Sequence, residues 1–182
     1  MTSWAGRLLV ATPALTEGPF ARTVVQLLRH DADTGALGVV LNRPTEARVV
    51  DVLPGWADLA GAPAVVFEGG PVEPTAAICL GRVPAAAPPS PAYAVLVAGL
   101  ATVDLDASPD PALQGVRVFA GYAGWSPGQL EDELAAGGWW LLDALPGDPF
   151  DPAPLDLWRR VLLRQGLPLA FAASYPPDPS LN

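Results

Sequence analysis

The 182-residue chain contains no lysine, one cysteine and one histidine. One cysteine excludes a disulfide framework and any metal site built on paired cysteines. One histidine, His30, excludes the HExxH zinc motif and most sites built on several histidines. No apolar run approaches the roughly 18 residues of a membrane span, and the N-terminus lacks the basic segment of a secretory signal. We therefore expect a cytoplasmic protein with no membrane association, no metal and no other cofactor.

Positive charge is scarce as well. Ten arginines stand against 19 acidic residues, which gives a formal net charge of -9. A strongly anionic chain repels phosphate backbones, so direct nucleic-acid binding is not expected. The partner that remains is a protein or a small ligand, and the composition does not fix the oligomeric state.

Proline and glycine are abundant, with 22 and 18 residues, and they favour many short elements over long helices. The length fits one domain, which we place over residues 1–182 with a frayed tail at 174–182. Helices are predicted within 49–59, from Ser126 to the glycines at 137–138, and over 155–164. Strands are predicted, with a hairpin between the second and third, at 8–11, 20–28, 36–41, 64–68, 76–80, 93–97, 102–105, 116–123, 139–142 and 169–173.

The clearest helix start is a predicted capping box, with Ser126 as the cap and Gln129 as the residue that completes it. The same segment fits the Gly-x-Ser-x-Gly motif of a hydrolase elbow. However, Pro127 has no N–H to give to an oxyanion hole, and His30 precedes the serine instead of following it. The pattern therefore predicts that Ser126 is a helix cap and not a nucleophile.

Several positions leave a functional and a structural interpretation open. His30 fits a catalytic base or a histidine that caps a hairpin turn. Gly69 and Gly70 fit a backbone anion site or a tight turn. Tyr122 and Trp125, which stand between glycines, fit the wall of a small pocket or simple packing at a corner.

Four further residues carry expectations about burial. Arg22 lies in a run whose alternate residues are expected to be buried, where a guanidinium needs a carboxylate or a ligand anion. Cys79 lies inside an apolar strand and is expected to be an inert thiol. Trp4 and Trp56 are the candidates for an exposed tryptophan that anchors a partner.

Five ordered blocks together resemble one known family. They are LLVATPAL at 8–15, FARTVV at 20–25 leading to His30, GALGVVLNRP at 35–44, GGPV at 69–72 and GYAGWSPGQLE at 121–131, closing with Trp139. In this order they resemble the YqgE/AlgH family of bacterial proteins over about residues 6–168. Members often carry a histidine at the position of Gly81, so a site of two histidines is not expected here.

The resemblance implies an α/β fold of the α+β type, in one domain. Its bent, bifurcated mixed β-sheet folds partway into a pseudo-barrel, with a few flanking helices. The family supplies no catalytic residues, and one branch is named as a transcriptional regulator of exopolysaccharide production. The polar, aromatic and glycine positions of the blocks form a candidate binding surface: Arg22, His30, Asn42, Arg43, Gly69, Gly70, Tyr122, Trp125 and Gln129.

The expected function is that of a non-enzymatic regulatory or binding protein of the cytosol, acting through a protein partner or a small ligand. Two alternatives stay open. One is a hydrolase-like enzyme with His30 as its base. The other is a transcriptional regulator, although the chain has no helix-turn-helix pair with a basic second helix.

Overall fold

The computed structural model describes residues 3–16 and 18–176, so residues 177–182 of the predicted frayed tail lie outside the described part. Four short helices occur there: α1 (Val49–Val52), α2 (Gln129–Ala135), α3 (Leu157–Leu163) and α4 (Leu169–Ala172). Short 3₁₀ turns occupy Pro54–Leu59, Asp148–Phe150 and Pro154–Asp156. Ten strands form the sheet: β1 (Leu8–Ala11), β2 (Val24–Asp31), β3 (Gly35–Val40), β4 (Pro44–Arg48), β5 (Val65–Glu68), β6 (Val72–Arg82), β7 (Tyr93–Val97), β8 (Leu100–Val103), β9 (Gly115–Trp125) and β10 (Trp139–Leu142).

The sheet runs in the order β10-β1-β2-β3-β9-β6-β8-β7, and all of these neighbours are antiparallel. It forks at β9. The end of β9 pairs with β3, while Phe119 and Ala120 pair in parallel with β5, which in turn pairs with β4. The sheet bends at β6, whose register against β9 shifts between Val72 and Ala77. The prediction of a bent, bifurcated mixed sheet with a few flanking helices is therefore confirmed.

Apolar residues cover both faces of the sheet. Along β1, alternate side chains point to opposite faces, and all four residues are buried. Leu8 and Val10 join one core cluster, which helix α3 covers through Trp158 and its neighbours. Leu9 and Ala11 join a second cluster, which helix α2 covers. A third cluster lies around Trp56. The second cluster matters here because it forms the floor of the candidate site.

Some predicted elements were wrong in type or extent, and one strand was missed. The run 169–173 is a helix, because a short apolar run does not distinguish a strand from a buried helical turn. Strand β2 begins at Val24 and not at residue 20, since Thr23 bonds back to the carbonyl of Phe20 and Arg22 has a left-handed φ of 55°. Strand β4 was not predicted. Leu155, predicted to share the buried face of the last helix, is 77% exposed.

No tryptophan supplies the exposed anchor that was expected. Trp56 is 5% exposed, and Trp4 is half-buried because its indole stacks on the imidazole of His30. Large apolar side chains that do reach solvent include Leu167 and Phe171 near the C-terminus, and Val50, Val52, Val72 and Val95 earlier in the chain. Across the described residues, no helix combines the length and the apolar character that crossing a membrane requires.

Candidate functional site

The corner between β9 and α2 positions most of the site. Strand β9 ends at Trp125, and helix α2 begins at Gln129. Gly128 has a φ of 77°, a left-handed conformation that glycine adopts without cost, and it lets the chain turn into the helix. Gln129 Oε1 accepts the N–H of Ser126 at 3.0 Å, which is one half of the predicted capping box. The other half is absent: Gly128 is the N-cap, so the prediction that Ser126 caps the helix is wrong.

Glu133 connects this helix to two tryptophans. Its Oε2 accepts the indole N–H of Trp125 at 2.9 Å and that of Trp139 at 2.8 Å. Its Oε1 accepts the side-chain N–H of Gln129, one helical turn earlier, at 2.9 Å. The two indoles are 6% and 3% exposed. One carboxylate therefore satisfies two buried donors and fixes the angle between two aromatic rings.

These groups line a cavity of about 400 Å³. Phe20, from the loop before β2, adds a third aromatic ring, 6.2 Å from Trp125 and 5.6 Å from Trp139 between centroids. The two indoles meet nearly edge to face, with an interplanar angle of 79°. Small side chains, including Ala14 and Ala136, complete the wall. A volume in this range and an aromatic lining are typical of sites for small organic molecules.

The charge on this cavity is negative. Glu133 is the only ionisable side chain that the described residues place on its wall. All ten arginines lie in the described part of the chain, and none of the ion pairs there involves Glu133. Such a site disfavours anions, because a carboxylate near apolar rings is poorly screened by water.

His30 is buried beneath the half-buried Trp4 and beside the partly exposed Glu131. It is 6% exposed, and its Nδ1 accepts the backbone N–H of Trp4 at 3.3 Å. Since a backbone N–H can only donate, Nδ1 carries no proton, and the Nε2–H donates to Oε1 of Glu131 at 2.8 Å. This hydrogen bond, together with one from its own backbone, lowers the pKa of Glu131. Both imidazole nitrogens are thus occupied, which leaves neither free to act as a base.

Asn42, Arg22 and Arg43 form a second cluster that closes the loop before β2. Asn42 is 3% exposed; its Oδ1 accepts the N–H of Val24 at 3.0 Å, and its Nδ2 donates to the carbonyl of Arg22 at 2.9 Å. Arg43 donates to the carbonyl of Ala21 at 2.6 Å. These side-chain bonds satisfy backbone groups of the loop and of Val24, so the cluster fixes the start of β2.

No carboxylate among the described residues forms an ion pair with Arg22. Its guanidinium carbon lies 4.1 Å from the ring centroid of Trp158, and its Nη1 donates to the carbonyl of Tyr175 at 2.9 Å. Partial burial lowers the pKa of Arg22. An aromatic face and a carbonyl oxygen therefore take the place of a counter-charge.

Gly69, Gly70 and Tyr122 lie at the fork of the sheet. The N–H of Gly69 donates to the carbonyl of Ala120 at 2.9 Å, and its own carbonyl accepts the N–H of Val40 at 2.8 Å. Gly70 has a φ of 154°, and a Cβ there would overlap the backbone of Tyr122. Tyr122 packs, half-buried, against the first core cluster. Close backbone packing accounts for the lack of a side chain at these two glycines.

The structure thus divides the nine predicted residues among separate places. Trp125 and Gln129 line the aromatic cavity, while the other seven lie at His30, in the Asn42 cluster or at the fork. The sequence analysis missed Glu133 and Phe20 as members of a site. A signal was present: Trp125, Gln129 and Glu133 recur every four residues, as expected of one helical face that continues the corner.

Reactive groups other than Glu133 are absent from the described wall of the cavity, which has no hydroxyl, thiol or imidazole. Burial raises the pKa of the Cys79 thiol to about 12, so this cysteine is an inert thiol elsewhere in the core. Within residues 3–16 and 18–176, no group of three or more metal-ligating side chains is present. The carboxylate of Glu133 is thus the one group on the described wall with acid–base or nucleophilic chemistry.

Comparison with known proteins agrees with this architecture. A family model described as AlgH-like matches residues 8–170. The chain is 52% identical over 188 residues to the UPF0301 protein SCO2948 of Streptomyces coelicolor, covering 100% of this chain and 97% of that protein. It is 48% identical over 183 residues to a UPF0301 protein of Mycobacterium marinum, covering 98% and 90%.

Two solved structures share the fold. Protein DIP2367 from Corynebacterium diphtheriae superposes with a TM-score of 0.88 and 31% identity, covering 93% of this chain and 91% of that one. The AlgH protein from Pseudomonas aeruginosa gives a TM-score of 0.66 and 28% identity, covering 96% and 95%.

Proposed function

The chain belongs to the AlgH-like family, and we propose that it is a non-enzymatic binding protein of the cytosol. In this proposal, it holds a small organic ligand in the aromatic cavity and regulates a protein partner. The observation that carries the proposal is the carboxylate of Glu133, which two indole N–H groups hold at the wall of a cavity of about 400 Å³.

The cavity walls are built to keep their shape. Trp125 ends β9 and Trp139 begins β10, on either side of α2 in sequence, and their shared acceptor, Glu133, is on that helix. Polar atoms that fix two rings at the edge of an open cavity are preorganised for a ligand, since less side-chain freedom is lost when it binds. Corner packing alone would not need an open volume beside these rings.

The absence of catalytic activity is supported by the chemistry of the wall. Hydrolysis needs a nucleophile or an activated water, with a base oriented by a third group. Glu133 stands alone as a titratable group on the described wall, and its oxygens already accept three hydrogen bonds. The imidazole of His30 is taken by Glu131 and Trp4. These contacts favour binding over turnover.

A regulatory role is supported by where the cavity lies. Its wall includes the exposed Gln129 of α2, the exposed Ala136 that follows this helix, and Phe20 from the loop before β2. A ligand that contacts both the helix and this loop would change how often the loop rests against the helix, and so the surface that a partner meets. The partner in this proposal is a protein that recognises the filled form.

Direct contact with DNA is not part of the proposal. Of the ten arginines, eight have partners within the described structure: Arg7, Arg48, Arg160 and Arg164 in ion pairs, Arg22 and Arg82 on aromatic rings, and Arg43 and Arg117 on carbonyls. A transcriptional effect of this chain would therefore pass through a partner, because few guanidinium groups remain for phosphates.

Native mass spectrometry on protein purified gently from its own host tests the proposal. We expect a bound mass above the 18.8 kDa of the chain. The Ala136→Trp variant should lose that mass, because Ala136 lines the cavity and a large side chain there would fill it. Ala135→Trp is the matched control, since Ala135 is equally exposed on α2 but does not line the cavity.

Two results would contradict the proposal. One is a host-purified protein that carries no extra mass and binds no molecule from a metabolite extract. The other is a bound mass that survives Ala136→Trp, which would place the ligand elsewhere on the protein.

A further inference from the structure

We infer that the ligand of the aromatic cavity is a small organic cation with a methylated ammonium group. The inference rests on the proposed function and adds the chemical class of the ligand. Three independent properties of the wall lead to it: its charge, its remaining hydrogen-bonding capacity and its aromatic rings.

The charge of the wall favours a cation. Glu133 supplies one negative charge, and no arginine of the chain forms an ion pair with it. Two indole rings contact its carboxylate, and they screen a charge far less than water does. A phosphate or carboxylate ligand would be repelled there. A neutral ligand would gain nothing from the charge, whereas a cation would supply the missing counter-charge.

The remaining hydrogen-bonding capacity favours methylation. A carboxylate has about four lone-pair positions. Oε2 of Glu133 accepts from two indoles and Oε1 accepts from Gln129, so about one position remains. Gln129 Oε1 is itself engaged with the N–H of Ser126. A primary ammonium carries three N–H donors and a guanidinium five, so most of them would lack an acceptor on this wall. A methylated ammonium carries few donors or none.

The aromatic rings favour the same class. Phe20, Trp125 and Trp139 lie with centroids 5.6 to 6.2 Å apart. The Phe20 and Trp125 rings are nearly parallel, at 27°, while the Trp139 ring stands at 68° and 79° to them, so the cavity wall presents ring faces in two directions. Ring faces attract diffuse cations, tryptophan most strongly, and methylated ammonium groups are bound by such sets of rings because their charge spreads over the methyl hydrogens.

The test compares choline with 3,3-dimethylbutan-1-ol, its neutral carbon isostere. Binding is followed through the indole N–H signals of Trp125 and Trp139 in two-dimensional NMR spectra. We expect choline to bind about tenfold more tightly than the isostere. The Glu133→Gln variant, which keeps one oxygen acceptor for the indoles, should reduce this preference to about twofold. Asp132→Asn, which removes an equal charge from the exposed side of the same helix, should leave it unchanged.

Equal affinity of the wild type for the two probes would overturn the inference, as would a choline preference that stays near the wild-type value in Glu133→Gln. Absence of choline binding at millimolar concentration would overturn it as well. If the host ligand is nevertheless lost from Ala136→Trp, only the ligand class fails and the proposed function stands. If no host ligand is found and neither probe binds, both fail.

Discussion

Replacing Glu133 with alanine should destabilise the protein even without a ligand. The change removes the acceptor of two indole N–H groups on side chains that are 6% and 3% exposed. A buried donor left without a partner costs about 1–3 kcal/mol, so two would cost about 2–6 kcal/mol. Water entering the cavity can satisfy part of this demand. The bond from the exposed Gln129 adds little. We therefore expect a loss of about 2–4 kcal/mol in the free energy of unfolding.

Urea unfolding followed by tryptophan fluorescence measures this loss. The midpoint should fall while the slope of the transition stays constant, because the folded state keeps its buried area. Glu133→Gln retains one oxygen for the two indoles and should lose about 1 kcal/mol. Asp132→Ala, at an exposed position on the same helix, should change stability by less than about 0.5 kcal/mol.

A loss below about 0.5 kcal/mol for Glu133→Ala would refute the reasoning. It would mean that the indole donors are satisfied without the carboxylate, and that Glu133 does not hold the cavity walls.

Two further predictions concern other parts of the protein. The hydrogen bond from His30 lowers the pKa of Glu131 from its ordinary 4.5. The stabilisation that this bond gives the folded state is therefore complete above pH 4.5 and is lost as the pH falls through the lowered pKa of Glu131. Between about pH 6 and about pH 3, the melting temperature of Glu131→Gln should therefore fall less than that of the wild type. An equal fall in the two proteins would contradict this prediction. Gly70→Ala should cost more than about 3 kcal/mol or prevent folding, because its Cβ would meet the backbone of Tyr122. Gly55→Ala has open space and should melt like the wild type, so similar melting of the two variants would refute the argument.

Much of the sheet could be predicted because its signals are local. Strands β1, β5 and β10 are short runs of aliphatic or aromatic residues bounded by proline or glycine, and the structure places them within one residue of expectation. The run at 169–172 carries the same kind of signal and is a helix. There the packing of α4 against α3 favours the helical conformation, and a local sequence pattern does not reveal such a contact.

The candidate site was harder to predict because its chemistry depends on distant residues. Trp125 and Gln129 were identified from their corner. The bonds of Glu133 reach only residues within eight positions, and its spacing from Trp125 was a signal for it. The third ring of the cavity, Phe20, comes from more than 100 residues earlier in the chain, and no local pattern places it there. His30 was misjudged as a surface residue for the same reason, since its partner Glu131 lies 101 residues away in sequence. The spacing of residues in the sequence indicates which face of a helix or strand a side chain occupies. Its hydrogen-bond partner depends on which distant segments the fold brings to that face.

The fork at β9 has a consequence for how the chain is made. Before β9 is synthesised, hairpins such as β2–β3 and β7–β8 can form. The strands β3 and β6, however, lack the strand that lies between them in the sheet and pairs with both. That strand ends at residue 125 of 182, and β1 gains its other neighbour only with β10. Contacts so distant in sequence form slowly. During synthesis, the apolar strands of both halves therefore stay uncovered until most of the chain has left the ribosome, and β9 is the segment that joins the two halves into one sheet.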